Sequence, residues 1–220
     1  MECVCHAMVQ STMRRVLWYF DFVSPFSYLS LARLGELPPD AVVDYRPVLF
    51  AGLLAHFGQK GPAEIDAKRR WTYRWCQWSA ERLGVPFRFP ATHPFNPLHH
   101  LRLAIAAGTT PSTVRAIFEE LWTTGVDPSD PLRFGVLSEK LAVEPARISS
   151  PEVKEALRRN TDEAVAAGVF GVPSFIAGAE LFWGVDSVDF LKAFLADGSL
   201  LERDEMRRLD TLPVGAQRRG

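Results

Sequence analysis

The 220-residue sequence has little cysteine, almost no net charge and no long apolar run. Its three cysteines are an odd number, which argues against a disulfide scaffold and favours a reducing compartment. The formal net charge of −1 provides no global field that would attract nucleic acid or an anionic membrane. No segment approaches the ~20 apolar residues of a membrane-spanning helix, and the N-terminus lacks an apolar run of signal-peptide length. The sequence therefore predicts a cytoplasmic protein with no nucleic-acid or membrane partner.

The cysteines also lack the spacing of a metal site. Cys3 and Cys5 precede His6, but no second group of ligands follows at a zinc-like spacing. Cys76 lies in the segment YRWCQW, where burial on a helix predicts an inert thiol. We therefore predict no metal site in this chain.

A strand, a helix and a second strand are predicted in the first fifty residues. Residues 16–22, VLWYFDF, form a continuous apolar run rich in aromatic and β-branched side chains, which is typical of a buried strand. Residues 24–37 follow as a helix, because Ser24 is a favourable N-cap and Pro25 falls at the first helical position. Residues 41–50 give the second strand. Such a βαβ unit implies parallel pairing of its two strands.

The pattern changes to helices in the middle of the chain and returns to strands near its end. Residues 51–167 show almost no strand signal, and boundary residues predict five helices, over residues 63–84, 96–108, 111–125, 130–142 and 150–168. A hairpin-like pair of strands around Gly178 and a closing helix follow, over residues 172–178, 179–184 and 185–198. A helical block between two halves of one sheet predicts one α/β unit rather than two sequential domains.

The order βαβ, helices, ββα is the arrangement of the thioredoxin fold. We therefore predict an α/β, thioredoxin-like fold with a large all-helical insertion between its βαβ and ββα halves. The thioredoxin-like domain is discontinuous, at residues 16–50 and 168–198, and the insertion spans residues 51–167. Residues 1–14 and 203–220 are predicted to be flexible termini.

Ser24 and Ser27 occupy the two cysteine positions of the CxxC motif in that fold. The motif lies at a helix N-terminus, where free N–H groups and the helix dipole stabilise an anion and lower the pKa of a thiol. Serine cannot form a disulfide, which excludes a dithiol oxidase at this site. It can donate a hydrogen bond, so that the site would stabilise a thiolate brought by another molecule.

Val172-Pro173 precedes a predicted strand at the position where the thioredoxin fold has a cis-proline facing this helix N-terminus. Such a proline leaves the backbone of the preceding residue free to pair with an extended peptide. A tripeptide that carries a thiol fits both features. Glutathione is therefore the predicted cofactor.

The sequence resembles the 2-hydroxychromene-2-carboxylate isomerases in several motifs that together extend over residues 16–196. The matching stretches are YFDFVSPFSYLSLARL (19–34), GQKGPAE (58–64), AERLGVPFRFP (80–90) and GVFGVPSFIAGAELFWGVDSVDFL (168–191). The chain is more distantly similar to kappa-class glutathione transferases and DsbA-type oxidoreductases. Both glutathione-using families place a serine where DsbA has its first cysteine, and Ser24 matches that position.

The resemblance implies how the chain would bind glutathione. Ser24 would donate a hydrogen bond to the sulfur atom and favour the thiolate. The backbone of Val172, ahead of Pro173, would pair with the cysteinyl amide. Val185 and Asp186 would hold the γ-glutamyl end, with Asp186 binding its ammonium group.

The resemblance implies further contacts from the middle of the chain. An asparagine is common in the family before the GP motif, and Gln59 stands at that position as the corresponding glutathione contact. The stretch HPFNPLHHLRL belongs to a subset of the family, and there His93 and Asn96 are implied as substrate contacts. His93 is equally consistent with a surface turn.

Three other features each allow a structural and a functional interpretation. Asp21, in an apolar strand, is either a structural hydrogen-bonding group or a proton relay beneath the site. Trp71, Trp75 and Trp78 share one helix face, for which core packing is favoured over stacking on a ligand. A basic run is favoured as a solvated helix face over a carboxylate-binding patch, and it comprises Lys60, Lys68, Arg69, Arg70 and Arg74.

The resemblance implies a glutathione-dependent isomerase of 2-hydroxychromene-2-carboxylate-type aromatic degradation intermediates, acting by reversible thiolate addition. A kappa-type glutathione transferase is the first alternative, since both reactions need the same activated thiol. A non-catalytic glutathione- or peptide-binding DsbA-like protein is the second. The implied partners are a small aromatic substrate and a second copy of the chain in a homodimer.

Overall fold

The computed structural model describes residues 13–216, which form a four-stranded mixed sheet packed against helices. The strands are β1 (Arg14–Phe20), β2 (Ala41–Pro47), β3 (Ser174–Ala177) and β4 (Glu180–Trp183). Their order across the sheet is β2-β1-β3-β4. Strand β1 pairs in parallel with β2 and in antiparallel with β3, and β4 pairs in antiparallel with β3. This topology confirms the predicted α/β fold with its βαβ and ββα halves.

Helix α1 (Pro25–Arg33) begins shortly after β1 because its first turn carries two start signals. Ser24 is the N-cap, and its Oγ accepts a hydrogen bond from the Ser27 backbone N–H at 3.2 Å. Pro25 occupies the first helical position, where its missing N–H costs no hydrogen bond. The helix is shorter than predicted, because a 3-10 turn (Leu34–Glu36) follows it before β2.

The block between β2 and β3 contains seven helices, all within the described residues. They are α2 (Phe50–His56), α3 (Asp66–Leu83), α4 (Leu98–Ala106), α5 (Pro111–Thr123), α6 (Pro131–Lys140), α7 (Pro145–Ile148) and α8 (Pro151–Ala166). The five predicted helices are confirmed as α3, α4, α5, α6 and α8. The prediction misses α2, because β2 ends at Pro47 and the apolar residues after it start a helix. It also misses α7, which is a single turn.

The C-terminal half contains a hairpin and two further helices. Strands β3 and β4 turn at Gly178, whose φ of 63° lies in the region that favours glycine. A 3-10 turn (Val185–Ser187) precedes helix α9 (Val188–Ala196), so the predicted closing helix begins later than expected. Helix α10 (Asp204–Asp210) has no buried residue and lies in the segment 203–220 that was expected to be flexible.

At the N-terminus, β1 already begins at Arg14, inside the segment 1–14 that was expected to be flexible. Cys3 and Cys5 lie outside the described residues. Cys76 is a free, buried cysteine, and burial raises the pKa of its thiol, as expected for an inert side chain. Over residues 13–216, no helix combines the length and apolar character needed to cross a membrane.

A cluster of aromatic side chains joins the end of β1 to the helical block. Phe20 and Phe22 are fully buried together with Phe118 and Trp122 of α5. The Trp122 indole N–H donates a hydrogen bond of 2.9 Å to the Phe22 carbonyl oxygen. Because Phe22 lies two residues before Ser24, this bond connects α5 to the segment that carries the candidate site.

We expect Trp122→Phe to lower the free energy of unfolding by about 1–3 kcal/mol, because it leaves the buried Phe22 carbonyl without its donor. Denaturant unfolding monitored by circular dichroism would measure the change. Trp71→Phe, at an exposed position, is the matched control and should change stability by much less. Equal effects of the two substitutions would contradict this assignment.

Candidate active site

Ser24 stands at the N-terminus of α1 and faces the segment before β3. Its buried Oγ donates a hydrogen bond to the Val172 carbonyl oxygen at 3.4 Å, while accepting the bond from Ser27. The Val172–Pro173 peptide is cis, as expected for this position of the fold. The free N–H groups and the dipole of α1 favour negative charge here. A sulfur atom bound beside Ser24 would therefore be stabilised as a thiolate.

A cavity of about 480 Å³ opens beside the Val172–Pro173 peptide, and we call it the larger cavity. Its lining brings together all the residues that the resemblance implied for glutathione contacts apart from Ser24, namely Gln59, Val172, Pro173, Val185 and Asp186. Its other walls include Lys60, Lys68, Trp71, Trp75, Phe170 and Trp183. Residues from four separate parts of the chain therefore converge on one site.

A second cavity of about 270 Å³, the smaller cavity, adjoins the first. Ser24 and His93 line it, and most of its remaining wall is apolar. The two cavities share five lining residues: Phe26, Phe50, Leu54, Pro62 and Val172. Because Ser24 lines the smaller cavity and bonds to Val172 in the shared wall, its hydroxyl lies near the junction of the two.

The charged side chains differ between the two cavities. Lys60 and Lys68 bring ammonium groups to the larger cavity, and Asp186 brings a carboxylate. The acidic side chains on the smaller cavity are Asp21 and Glu64. The larger cavity is thus suited to a ligand that carries both signs of charge, and the smaller one to an apolar group.

Comparisons with known proteins show the family to which the chain belongs. The family model described as a DSBA-like thioredoxin domain matches residues 15–196. A 2-hydroxychromene-2-carboxylate isomerase of Pseudomonas sp. (strain C18) is 31% identical over 188 residues, which cover 80% of this chain and 87% of that protein. The chain belongs to the 2-hydroxychromene-2-carboxylate isomerase family.

Other members of the wider group are similar over most of their length. A solved structure of a 2-hydroxychromene-2-carboxylate isomerase has a TM-score of 0.72 and 27% identity to this chain, and the match covers 90% of this chain and 100% of that one. Glutathione S-transferase kappa 2 of Caenorhabditis elegans is 26% identical over 176 residues, covering 72% of this chain and 78% of that protein. The chain is therefore an enzyme of isomerase type with a DsbA-like thioredoxin fold.

The tryptophans of α3 lie differently in this isomerase-family chain from what periodicity predicts. Trp71 is 60% exposed and Trp78 is 53% exposed, so the prediction of core packing is wrong for these two. Trp75 is partly buried and packs against the core cluster that contains Cys76 and Ala80. The rings of Trp71 and Trp75 stack with centroids 6.0 Å apart, and both line the larger cavity. These two rings therefore form an aromatic wall of that cavity.

The basic run lies at the surface, and two of its members also line the larger cavity. Lys60 and Lys68 line the larger cavity, whereas Arg69 pairs with Asp66 at 2.7 Å on the same helix. The four members other than Arg69 are exposed, as the favoured interpretation of a solvated face expects, and the two lysines line the larger cavity in addition.

His93 and Asn96, implied as substrate contacts, have different surroundings. His93 lines the smaller cavity, but both of its ring nitrogens have partners within the protein. Asn96 is exposed and lines neither cavity; its Oδ1 accepts a hydrogen bond from the Leu98 N–H at the start of α4. The structure therefore brings His93, and not Asn96, to the other site residues.

Asp21 is fully buried beneath the smaller cavity. Its carboxylate accepts hydrogen bonds from the backbone N–H groups of Val23 at 3.1 Å and Phe50 at 2.8 Å. Burial outweighs these bonds and raises the pKa of Asp21 to about 7. Asp21 thus connects the loop before Ser24 to the start of α2, and it is the acidic group beneath the smaller cavity that is most perturbed by burial.

Arg33 lines neither cavity, but it supports the site through contacts that sequence analysis missed. Its guanidinium donates a hydrogen bond to the Val185 carbonyl oxygen at 3.1 Å and pairs with Asp189 at 3.0 Å and Glu36 at 2.9 Å. These bonds fix the turn that carries Asp186 against α1. Two of its partners, Val185 and Asp189, lie more than 150 residues from Arg33 in the sequence, so no local pattern indicates these bonds.

Proposed function

We propose that the chain is a glutathione-dependent isomerase of 2-hydroxychromene-2-carboxylate-type aromatic degradation intermediates. The observation that carries the proposal is the position of the Ser24 hydroxyl, at a helix N-terminus and beside the wall shared by a charged and an apolar cavity. A thiol docked from the larger cavity would meet there an aromatic substrate held in the smaller one.

The charges of the larger cavity complement those of glutathione. The tripeptide carries two carboxylates and one ammonium group at neutral pH, and this cavity offers the ammonium groups of Lys60 and Lys68 and the carboxylate of Asp186. The backbone of Val172, before the cis peptide to Pro173, lines this cavity and supports pairing with the extended peptide, and Gln59 adds an amide at the same wall.

The chain's residues would then act on a bound thiol and a bound substrate. Glutathione supplies a thiolate that adds reversibly to a conjugated double bond, which allows rotation about that bond before the thiolate leaves. The Ser24 hydroxyl and the N-terminus of α1 stabilise negative charge on the sulfur. The apolar walls of the smaller cavity orient the aromatic ring and exclude water.

The proposal is tested by following isomerisation of the synthetic chromene carboxylate with and without glutathione. We expect turnover that requires glutathione and consumes none. Accumulation of a glutathione conjugate would instead favour a transferase, the function in the name of the kappa-class relative. Failure to bind glutathione in calorimetry would overturn both readings and favour a peptide-binding DsbA-like protein.

Lys68→Gln is expected to raise the KM for glutathione about fivefold without changing kcat, because it removes an exposed cation that attracts a carboxylate equally in the ground and transition states. Steady-state kinetics with varied glutathione would measure this. Lys154→Gln, at an exposed position of α8, is the matched control and should leave KM unchanged. An unchanged KM for Lys68→Gln would remove this residue from the site.

We also propose that the enzyme is a cytoplasmic homodimer. Exposed apolar side chains on α3 and α9, Trp78, Leu83 and Phe190, support a covered surface. The free thiol of Cys76 and the use of a reduced thiol support a reducing compartment. Light scattering should give twice the chain mass of 24.6 kDa, and a monomer mass at all concentrations would contradict the dimer.

A further inference from the structure

His93 contacts the backbone directly before Ser24. Its Nε2 lies 2.8 Å from the Val23 carbonyl oxygen, and its Nδ1 lies 2.7 Å from the Tyr73 hydroxyl. A carbonyl oxygen only accepts hydrogen bonds, so Nε2 must carry the hydrogen. Burial lowers the pKa of His93, which favours a neutral ring whose Nδ1 is an acceptor. The one hydroxyl hydrogen of Tyr73 is shared between this Nδ1 and the His93 carbonyl oxygen, 2.8 Å away. The polar atoms of His93 are thus used within the protein.

The peptide unit that His93 contacts is the one that leads into Ser24. Its carbonyl, from Val23, accepts the bond from His93, and its N–H, from Ser24, donates to the Asp21 carbonyl oxygen at 3.1 Å. The Val23 N–H is held in addition by the Asp21 carboxylate. Both ends of this peptide unit are therefore fixed by hydrogen bonds, and rotation of the unit would move the Ser24 side chain.

We propose that His93, held by Tyr73, is a positioning residue that fixes the Ser24 hydroxyl by binding the Val23 carbonyl. The inference rests on the proposed function for the role of Ser24, but the geometry of the helix N-terminus is independent of any ligand. Tyr73 lies on α3 and His93 on the loop before α4, so the contact makes the Ser24 loop depend on the helical block. The side chains of His93, Tyr73 and Phe89 pack against one another and support this arrangement.

The test replaces Ser24 by a group whose ionisation reports its position. In a chain with Cys3→Ser and Cys5→Ser, Ser24→Cys introduces a thiol at the helix N-terminus, while the buried Cys76 stays protonated. Ultraviolet absorbance of the thiolate across pH gives its pKa without glutathione. We expect a pKa below the ordinary value for cysteine of about 8.5, because the position lies at the α1 N-terminus.

His93→Leu in this background should raise the pKa of the introduced thiol by about one unit, a tenfold loss of thiolate at a fixed pH, because the thiol loses its alignment with the helix N-terminus. Tyr73→Phe should raise it by a smaller amount. His93→Gln should restore the value of the parent, since the glutamine amide can donate to the Val23 carbonyl. The matched controls His99→Leu, on exposed α4 surface, and Tyr45→Phe, on β2, should leave it unchanged.

An unchanged thiol pKa in a folded His93→Leu protein would overturn the proposal. If that variant fails to fold, Tyr73→Phe carries the test, because it removes a single oxygen atom. In the enzyme with Ser24 intact, His93→Leu should lower kcat and leave the KM for glutathione unchanged. If the enzyme shows no glutathione-dependent isomerisation but the thiol titrations are as expected, the proposed function is rejected and the positioning role of His93 is retained.

Discussion

Replacing Ser24 by alanine is expected to lower kcat for glutathione-dependent isomerisation by about 100-fold, the usual loss on removing one donor to a developing anion. The KM for glutathione should change little, since the residues that would bind the tripeptide line the larger cavity and remain in place. The pKa of the bound glutathione thiol should rise towards its value in water. Steady-state kinetics and thiolate absorbance of the bound tripeptide across pH would measure these effects.

The Ser24 hydroxyl also caps α1, so stability must be separated from chemistry. Loss of its bond to the Ser27 N–H should cost about 1 kcal/mol of unfolding free energy. Ser150→Ala is the matched control, because Ser150 caps α8 through the Val153 N–H and lines neither cavity. We expect similar losses of stability in both variants and a loss of turnover in Ser24→Ala alone. Turnover of Ser24→Ala close to that of the original enzyme would reject Ser24 as the activating group.

The helix starts were predictable because their signals are local. A polar N-cap followed by proline opens α1, α5, α6 and α8, at Ser24, Thr110, Asp130 and Ser150. Each cap accepts a hydrogen bond from a backbone N–H two or three residues ahead, so the sequence window contains the whole interaction.

Helix α2 was not predictable by the same means. Leu49 precedes it without a side-chain cap, and the Phe50 N–H is bound instead by Asp21, a residue 29 positions earlier. The Leu49 N–H is bound by Thr161, 112 positions later. The start of this helix is thus stabilised by long-range partners, and apolar residues after β2 look like a continued strand.

The tryptophans of α3 show why periodicity alone can assign the wrong face. The side chains of α3 that are buried are Thr72, Cys76, Ser79 and Ala80, which are small. Small side chains allow α3 to approach α1 closely, and Cys76 and Ala80 pack with Leu29 there. The large rings then face the cavity and solvent. An apolar helix face that lines a ligand site has the same spacing as one that packs in a core.

The site residues that could be predicted from the sequence are those that lie in the family motifs. Ser24, Val172 and Asp186 come from motifs at a helix start, a strand start and a turn, and their positions follow from the fold. The supporting contacts of His93 with Val23 and Tyr73 join positions 70 and 20 residues apart, which no spacing rule connects. Packing of the helical block on the β1–α1 loop creates them.

Two buried groups are expected to give opposite pH dependences of stability. Burial raises the pKa of Asp21 to about 7 from an ordinary value of 3.8, so the folded state binds a proton that the unfolded state has released. The stabilisation by this proton is complete below pH 3.8 and is lost as pH rises through 7. The difference corresponds to about 4 kcal/mol.

Burial lowers the pKa of His100 to about 4 from 6.5, and the charge of His99 adds to the effect. The unfolded state therefore binds a proton that the folded state rejects. Stability is lost as pH falls from 6.5 to 4, by up to about 3 kcal/mol. The His100 Nδ1 has no partner within the described residues, so no hydrogen bond offsets its burial.

Between pH 4 and 6.5 the two contributions oppose each other, each with a slope of up to about 1.4 kcal/mol per pH unit. Asp21→Asn removes the Asp21 contribution and keeps that of His100. The free energy of unfolding of this variant, relative to the original protein, should therefore rise with pH. His100→Leu removes the His100 contribution and keeps that of Asp21. The free energy of unfolding of this variant, relative to the original protein, should therefore fall with pH. Urea unfolding at several pH values would measure both, with Asp130→Asn and, at an exposed position, His56→Leu as controls.

Comparison with the original protein removes the titration of all other groups, because these are common to each pair. In the double variant Asp21→Asn with His100→Leu, the difference in unfolding free energy from the original protein should depend little on pH between 4 and 6.5. The two residues lie on separate elements, so their opposite effects should add and cancel. If the free energy of unfolding of each single variant changes with pH in parallel with that of the original protein, neither group titrates as its burial predicts. A rise for Asp21→Asn alone would confirm that ionisation of Asp21 costs stability, and would show that the folded protein accommodates a charged His100 without loss of stability.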